Sequence, residues 1–285
     1  MTSGTPWDIE AYDVETYLDQ IGVAGAYRAP LNLELVSRVH SGHVRTYPFS
    51  NVQVLLGDHP GVTAHAVQQS MVDHQRGGYC FEHSQLFAGV LQRLGFSVEL
   101  FLGRVHAPDN SRTHLSVVVT LDDHSYLCDP GFGFSLREPM LISENNEHIE
   151  GDRTFTLIKH GSAASEVWEL RRDGEPQHFT DRLPVLPVDV RSGHLVTSTA
   201  GFGPFTDHLM VMRHTAEGHV TVTEEARTIR SAGQSTRREK LDPVDTASAV
   251  EALGVHMTSY EKERLAERIT DMQHRPGAPS TRKEI

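Results

Sequence analysis

The chain has 285 residues, a formal net charge of −12 at pH 7, and 38% hydrophobic and 22% charged residues. This length and composition are typical of a globular enzyme or binding protein with a substantial core. The acidic balance argues against a nucleic-acid partner, because binding to phosphates requires clustered Lys and Arg. It also disfavours adsorption to anionic membranes.

No window approaches the roughly 18 apolar residues of a membrane span, and the N-terminus lacks a basic stretch followed by an apolar segment. We therefore expect a cytoplasmic protein without a membrane partner. In that compartment its 2 cysteines, Cys80 and Cys128, are expected to be reduced thiols. A disulfide between them is the less favoured alternative.

The first third of the chain has the periodicity of helices. Apolar residues recur at helical spacing over residues 9–21, and again over residues 35–43, where Asn32 is a suitable cap. A further helix is predicted from Thr63, another capping residue, to His74. We therefore expect this part of the chain to be helical.

The clearest helical pattern follows Gly77-Gly78, which interrupt the preceding helix. The new helix begins near Cys80 and ends at Gly95, a residue suited to the position after a helix end. Its apolar residues lie on one face: Leu86, Phe87, Val90, Leu91 and Leu94.

From Phe96 the apolar period changes to two. Residues 98–102 and 115–119 alternate between apolar and other residues, which predicts strands. Shorter runs of the same kind cover residues 125–128, 154–158 and 167–170. These short strands, separated by turn residues, favour an antiparallel sheet or barrel.

Two prolines and an Arg-Ser-Gly sequence over residues 184–193 indicate a connecting segment. Strands are expected at residues 209–212 and 219–223, joined as a hairpin around residues 217–218.

Helices are expected again at the end of the chain. Asp242 precedes a proline at a helix start, and Thr258 with Glu261 has the spacing of a capping box. The polar tail from about Gln273 is expected to be disordered. Helices, then strands, then strands with helices predict an α+β protein built of successive subdomains.

Cys80 lies at the expected N-terminus of its helix, where unpaired N–H groups and the helix dipole favour a thiolate. Gly77 and Gly78 would let the backbone approach a bound acyl group, so that nearby N–H groups stabilise an oxyanion. These features predict a nucleophile. The alternative is a small buried apolar residue, which is the role of most free cysteines.

A catalytic cysteine needs a base and an orienting group. His114 begins an apolar strand, and Asp129 ends the next short strand 15 residues later. Adjacent strands would place the two side by side, so that the carboxylate fixes the imidazole and supports a Cys–His ion pair. The alternatives are an incidental histidine, one of 18, and a turn-forming aspartate. The 34 residues from Cys80 to His114 fit neither caspase-like nor papain-like proteases.

The segments around these three positions resemble the arylamine N-acetyltransferase family. RGGYCFEHS (76–84) is similar to that family's RGGxCxExN signature, and THLSVVV (113–119) and CDPGFG (128–133) are similar to its His and Asp motifs. The similarity extends over nearly the whole chain through YLDQIG (17–22), YPFSN (47–51) and GPFT (203–206).

The resemblance implies three subdomains with a Cys-His-Asp core like that of cysteine proteases. These are an N-terminal helical bundle over residues 1–95, a central antiparallel β-barrel over 96–195 and a C-terminal α/β lid over 196–285. The first would carry the nucleophile, and the second would carry the histidine and the aspartate.

The resemblance also implies ping-pong acyl transfer. Cys80 would take an acyl group from acetyl-CoA or another acyl thioester, and an aromatic amine, hydroxylamine or hydrazine would accept it. His114 would move the proton and Asp129 would orient His114. The acyl-CoA is a co-substrate, and neither a permanent cofactor nor a metal is implied.

The same resemblance assigns the residues around the triad. Those expected to bind substrate are Phe49, Val105, Gly131, Phe132, Phe134 and Phe205. Those expected to support the site are Arg76, Asn51 and Glu82. For the phenylalanines the alternative role is plain core packing.

Two serines depart from the family pattern. Ser50 stands where the family usually has Glu, and Ser84 where it has Asn. Because the missing carboxylate would hold Arg76, we expect another acid, such as Glu82, to pair with Arg76. The departures keep a second activity open: an amide synthase of natural-product biosynthesis that takes its acyl chain from a carrier protein or CoA. A thiol hydrolase and a catalytically inactive binding module are further alternatives.

Overall fold

The structure is a computed structural model and describes residues 6–134, 136–162 and 165–274. The N-terminal part is helical, as predicted. Asn32 and Thr63 cap their helices through side-chain oxygens that accept from the N–H groups of Leu35 and Ala66. Its α-helices are α1 (Val14–Gln20), α2 (Leu33–Thr46), α3 (Val52–Leu56), α4 (Ala64–Val67) and α5 (Cys80–Leu94).

The predicted first helix is divided in two. A short 3-10 turn, Ile9–Ala11, precedes α1, because Asp13 accepts a hydrogen bond from Thr16 N and begins a new helix there. The helix predicted from Thr63 continues beyond α4 as π-helical turns over Gln68–Asp73. α5 ends at Gly95 with a φ of +105°, as predicted.

The central part is an eight-stranded antiparallel sheet in the order β5-β4-β3-β2-β9-β8-β7-β6. Its edge strands β5 and β6 follow one another in the chain, and the Asn146 side-chain amide donates to Leu141 O at 2.8 Å, so the sheet is a nearly closed barrel. The predicted barrel is confirmed. Its strands are β2 (Ser97–Val105), β3 (Arg112–Leu121), β4 (His124–Cys128), β5 (Met140–Leu141), β6 (Asn146–Glu150), β7 (Arg153–His160), β8 (Val167–Arg172) and β9 (Glu175–Asp181).

A second antiparallel sheet has the order β1-β10-β11-β12-β13, and its first strand comes from far away in the sequence. β1 (Phe49–Ser50) pairs with β10, with Phe49 opposite Met212. The other strands are β10 (Val211–Thr215), β11 (Gly218–Val222), β12 (Ala226–Arg230) and β13 (Arg237–Lys240). β10 and β11 form the predicted hairpin.

The helices predicted at Asp242 and Thr258 are present as α7 (Pro243–Ala252) and α8 (Ser259–Gln273), each capped by the predicted residue. They pack against the second sheet through an apolar cluster that includes Val220, Val250 and Leu265. The polar tail lies outside the described residues from 275 onward.

The prediction of a connecting segment over residues 184–193 is wrong in its second half. Residues Pro187–Ser198 form helix α6. Proline suits the first turn of a helix, and Asp189 accepts from Leu186 N at 2.9 Å. Gly193 lets α6 pack on Phe81, because a Cβ there would lie 2.8 Å from Phe81 Cζ.

The division into subdomains at residues 95 and 195 remains a prediction. Elements from different predicted parts share structure, since β1 pairs with β10 and α6 crosses residue 195. Within the described residues, no helix combines the length and the apolar character that crossing a membrane would require.

Candidate active site

Cys80 is the first residue of α5, and its side chain is almost fully buried at 4% exposure. The thiol donates to Thr113 O at 3.4 Å, so the nucleophile lies against the strand that carries His114. Both described cysteines are free thiols. The helix dipole favours negative charge at this end of α5.

The two glycines before Cys80 allow close backbone contacts with residues 48–50, and their role toward an acyl group stays a prediction. Gly77 has a φ of +67°, and a Cβ there would lie 2.6 Å from Pro48 O. Ser50 N donates to Gly78 O at 2.6 Å. The glycines therefore hold the nucleophile segment closely against β1.

His114 lies in β3, and Asp129 directly follows β4, the neighbouring strand. Nε2 of His114 donates to Oδ1 of Asp129 at 2.8 Å, and both side chains are buried. Burial alone would lower the pKa of His114, but the carboxylate and hydrogen bonds with Asp129 and Cys80 outweigh it and raise the pKa to about 10. The structure thus brings together the three residues that the sequence predicted as catalytic.

Asp129 has a second histidine partner that the sequence did not reveal. Nε2 of His178, in β9, lies 3.2 Å from Oδ2 of Asp129, and its Nδ1 lies 2.9 Å from Thr180 Oγ1. Burial lowers the pKa of His178, so the ring is neutral. A neutral ring that donates through Nε2 accepts the Thr180 hydroxyl at Nδ1, which accounts for both contacts.

The carboxylate of Asp129 is ionised in this arrangement. Burial would raise its pKa, but the charge and hydrogen bond of His114, together with the hydrogen bond from His178, hold the pKa below its usual value. The ligand atoms of His114, Asp129 and His178 lie within 4.8 Å of one another, a composition that also suits a metal ion. Their mutual hydrogen bonds account for this arrangement without one.

The loop after Asp129 packs directly on the nucleophile. A Cβ at Gly131 would lie 2.7 Å from Cys80 Cα and 3.0 Å from Cys80 O. Phe132, half-buried, places its ring edge-on to His114 with centroids 5.0 Å apart and lies 5.4 Å from the ring of His178. Val105, at the end of β2, stands opposite His178 in the sheet.

Phe205 approaches the nucleophile segment from the loop before β10. Its ring centroid lies 5.3 Å from that of Tyr79, the residue before Cys80, and 6.0 Å from that of Phe49. Asn51 holds this loop in place, because its side-chain amide donates to Phe205 O at 2.8 Å and to His208 O at 2.7 Å. The Asn51 side-chain oxygen accepts from Met210 N at 2.8 Å.

Phe134 is placed elsewhere. Its ring lies beneath the guanidinium groups of Arg153 and Arg172, at 3.6 and 4.4 Å, and against His219 with centroids 3.7 Å apart. Among the predicted pocket residues, Gly131 therefore packs on Cys80 and Phe132 on His114. Phe205 lies beside Tyr79 and Phe49, and Phe134 lies with an arginine cluster.

The expected ion pair between Arg76 and Glu82 is wrong. Arg76 Nη1 pairs with Glu261 Oε1 of α8 at 2.6 Å. Glu82 is instead the third residue of α5, where its carboxylate accepts from Tyr79 N at 3.3 Å and from His59 Nε2 at 2.5 Å. An acid in the first turn of a helix satisfies free N–H groups and the dipole, so Glu82 serves its own helix.

A second polar network supports the nucleophile from the other side. The Tyr79 hydroxyl hydrogen bonds to His194 and, at 3.0 Å, to Thr197, both in α6. The rings of His194 and His59 lie 4.5 Å apart, which connects this network to Glu82. Ser84, which departs from the family pattern, donates to Leu115 O at 2.5 Å and so joins α5 to β3.

Comparisons with known proteins agree with this arrangement. Residues 32–258 match the N-acetyltransferase family. An arylamine N-acetyltransferase of Mycolicibacterium smegmatis is 32% identical over 227 residues, covering 76% of this chain and 79% of that protein. The solved arylamine N-acetyltransferase of Mycobacterium abscessus superposes with a TM-score of 0.86 at 25% identity, covering 95% of this chain and 99% of that one. A CoA complex of the Mycobacterium marinum enzyme has the same fold, with a TM-score of 0.79 at 24% identity, covering 91% and 99%.

Proposed function

The chain belongs to the arylamine N-acetyltransferase family, and from this membership we propose that Cys80 carries an acetyl or short acyl group from acyl-CoA to an aromatic amine, hydroxylamine or hydrazine. The observation that supports this most directly is the connected set of Cys80, His114 and Asp129 at the N-terminus of α5. Family members are acetyltransferases by name, and the CoA bound to the M. marinum protein makes acetyl-CoA the first donor to test.

In the first half-reaction His114 takes the thiol proton, and the Cys80 thiolate attacks the thioester carbonyl carbon. The bond between that carbon and the CoA sulfur breaks, and the leaving thiolate receives the proton from His114. The product is an acyl thioester on Cys80. The positive end of the α5 dipole stabilises the negative oxygen that forms during the attack.

In the second half-reaction the amine nitrogen attacks the Cys80 thioester. His114 accepts the proton that the amine loses and returns it to the Cys80 sulfur as the carbon–sulfur bond breaks. Asp129, held ionised by its two histidine partners, keeps the imidazole oriented and balances its positive charge. His114 therefore ends each half-reaction in the protonation state in which it began, and Cys80 regains its proton at the end of the second.

The acceptor is proposed to bind beside the partly exposed rings of Phe132 and Phe205, with Phe49, Val105 and Gly131 completing the site. Phe132 lies next to His114 and Phe205 lies next to Tyr79. Aromatic edges and faces at these positions suit a flat amine, whose ring gains burial and stacking. We also propose a cytoplasmic location, where Cys80 stays a free thiol.

The test is acylation of the purified protein by acetyl-CoA, followed by intact mass. We expect one acetyl group per chain, released on addition of an aniline with formation of the acetanilide, and no acetyl group on Cys80→Ser. An acetyl-enzyme that reacts with water at the same rate with and without amines would contradict the proposal and indicate a hydrolase. The amide-synthase alternative has no specific observation in its favour.

A further inference from the structure

A cavity of about 520 Å³ lies away from the catalytic residues. It lies between the turn that joins β6 to β7 and the β10–β11 hairpin, with Arg45 of α2 in its wall. Cys80, His114, Asp129 and His178 are not among its lining residues. Phe134 and His219 form part of the wall, and His219 Nε2 lies 3.1 Å from Gly133 O, in the loop that follows the catalytic aspartate.

The lining of this cavity is strongly basic in an acidic protein. Two carboxylates, Glu150 and Asp152, face five guanidinium groups there: Arg45, Arg137, Arg153, Arg213 and Arg230. The chain as a whole carries a net charge of −12. Even with Arg230 left out of the count, four guanidinium groups outnumber the two carboxylates, so the lining of the cavity has an excess of positive charge.

The two carboxylates are also largely engaged by their own loop. Glu150 accepts from Arg137 Nε at 3.1 Å, from Arg137 N at 2.8 Å and from His148 Nε2 at 3.0 Å. Asp152 is half-exposed and approaches Arg153 only to 3.8 Å. Among the described residues, Arg45 has no carboxylate within ion-pair distance, and its side chain is exposed.

The guanidinium groups are close enough to repel one another. Arg153 and Arg172 both lie over the ring of Phe134. Burial, together with the charges of Arg153 and Arg230, lowers the pKa of Arg172 to about 10. Burial also lowers the pKa of Arg153, and the charges of Arg230 and Arg137 act in the same direction. A bound anion would remove this repulsion.

Donor groups for such an anion are present. Within the described part of the chain, Nε of Arg213, a residue of the cavity wall, is buried without a hydrogen-bond partner. Buried donors without partners are costly in folded proteins. Guanidinium groups match the oxygens of phosphates with paired hydrogen bonds.

We propose that this cavity binds a small molecule through two or more linked phosphate groups. A single phosphate would leave part of the basic lining unmatched, whereas a diphosphate brings enough charge and acceptors for several arginines at once. The volume is that of a small-molecule site. The phosphates come either from a free oligophosphate or from a nucleotide, and the two are distinguished by experiment.

The experiment is isothermal titration of the full-length protein with inorganic pyrophosphate in low-salt buffer, with orthophosphate and ADP in parallel. No acyl donor is present, so the result does not depend on the proposed acyl transfer. We expect saturable binding of one pyrophosphate per chain and weaker binding of orthophosphate. ADP binding tighter than pyrophosphate would assign the site to a nucleotide, and weaker ADP binding would assign it to a free oligophosphate.

We expect Arg45→Gln and Arg230→Gln each to weaken pyrophosphate binding about tenfold, because each substitution removes one charge-assisted hydrogen bond. Arg38→Gln is the matched control, because it removes the same charge from the same helix. Arg38 is exposed and does not line the cavity. Arg45 is exposed, so its replacement leaves the fold intact. Absence of saturable binding, or equal weakening by Arg38→Gln, would overturn the proposal.

Discussion

Nε2 of His178 donates to Oδ2 of Asp129 at 3.2 Å, on the carboxylate oxygen that does not accept from His114. The carboxylate of Asp129 is therefore held from both sides, by His114 of β3, the proposed proton carrier, and by His178 of β9, which stays neutral. His178 does not touch the reacting atoms in this arrangement. Its effect on catalysis is transmitted through the orientation and charge of Asp129.

Removal of the His178 donor should therefore reduce the reactivity of Cys80. We expect His178→Leu to slow iodoacetamide labelling of Cys80 at neutral pH about tenfold, because a hydrogen bond to a charged group contributes about 1.5–3 kcal/mol. His178→Gln, which keeps an N–H at a similar reach, should recover most of the rate. His114→Ala sets the lower limit for the same measurement. Equal rates for the Leu and Gln variants would show that His178 acts only as packing.

The ion pair of His114 and Asp129 predicts a pH-dependent contribution to stability. The pKa of His114 is raised from 6.5 to about 10 in the folded protein, so its contribution is fully present below 6.5 and is lost as the pH rises toward 10. The pKa of Asp129 is lowered from 3.8, so its contribution is present above 3.8 and is lost as the pH falls below that value.

We therefore expect the difference in Tm between the native protein and Asp129→Asn to be largest near pH 5–6 and to shrink toward pH 10. Thermal unfolding across this range measures it. Asp189→Asn, a change of the same chemistry in the first turn of α6, serves as the control. A difference that stays constant up to pH 10 would contradict the raised pKa of His114.

Gly131 is predicted to tolerate no side chain. A Cβ there would lie 2.7 Å from Cys80 Cα, a backbone atom that cannot move aside without displacing the start of α5. We expect Gly131→Ala to destabilise the protein by about 1–3 kcal/mol and to lower kcat/KM more than it changes KM. Gly203→Ala is the control, since its Cβ would lie 3.9 Å from the nearest atoms. Urea unfolding and steady-state kinetics test both variants, and native-like behaviour of Gly131→Ala would refute the close contact.

The partner of Arg76 is tested by a double-mutant cycle. Arg76 and Glu261 are each about one-fifth exposed, and a partly screened pair of this kind contributes about 0.5–1 kcal/mol. We expect that coupling between Arg76→Ala and Glu261→Ala in the free energy of unfolding, and none between Arg76→Ala and Glu82→Gln. Coupling with Glu82 instead would restore the pairing expected from the sequence.

The spatial grouping of Cys80, His114 and Asp129 could be predicted because its signals are local. Cys80 stands between a glycine pair and an amphipathic helix, and His114 and Asp129 lie on strands that are neighbours in both chain and sheet. A short hairpin connection makes such neighbours predictable from the sequence. The barrel followed from the same alternating strands.

The features that escaped prediction depend on distant parts of the chain. β9 has the sequence EPQHFTD, which contains a proline and little apolar alternation, so neither the strand nor His178 was indicated. α6 was not predicted, because its proline and glycine are typical of a connecting segment. In the structure Pro187 begins the helix and Gly193 allows its close packing on Phe81. The arginines that line the cavity are spread over residues 45 to 230, and the chain as a whole is acidic, so no basic cluster was visible in the sequence.

β1 also fixes when the active site can form during synthesis. This two-residue strand is bonded on one side to Gly78 in the nucleophile segment and on the other to Met212 in β10. A nascent chain that has not reached residue 212 therefore lacks the support that holds the glycine pair and the start of α5. We expect Cys80 in ribosome-bound chains that end before β10 to be labelled by iodoacetamide at the rate of an ordinary thiol. Acyl thioesters in the cell would then meet a reactive Cys80 only after about three-quarters of the protein has been translated.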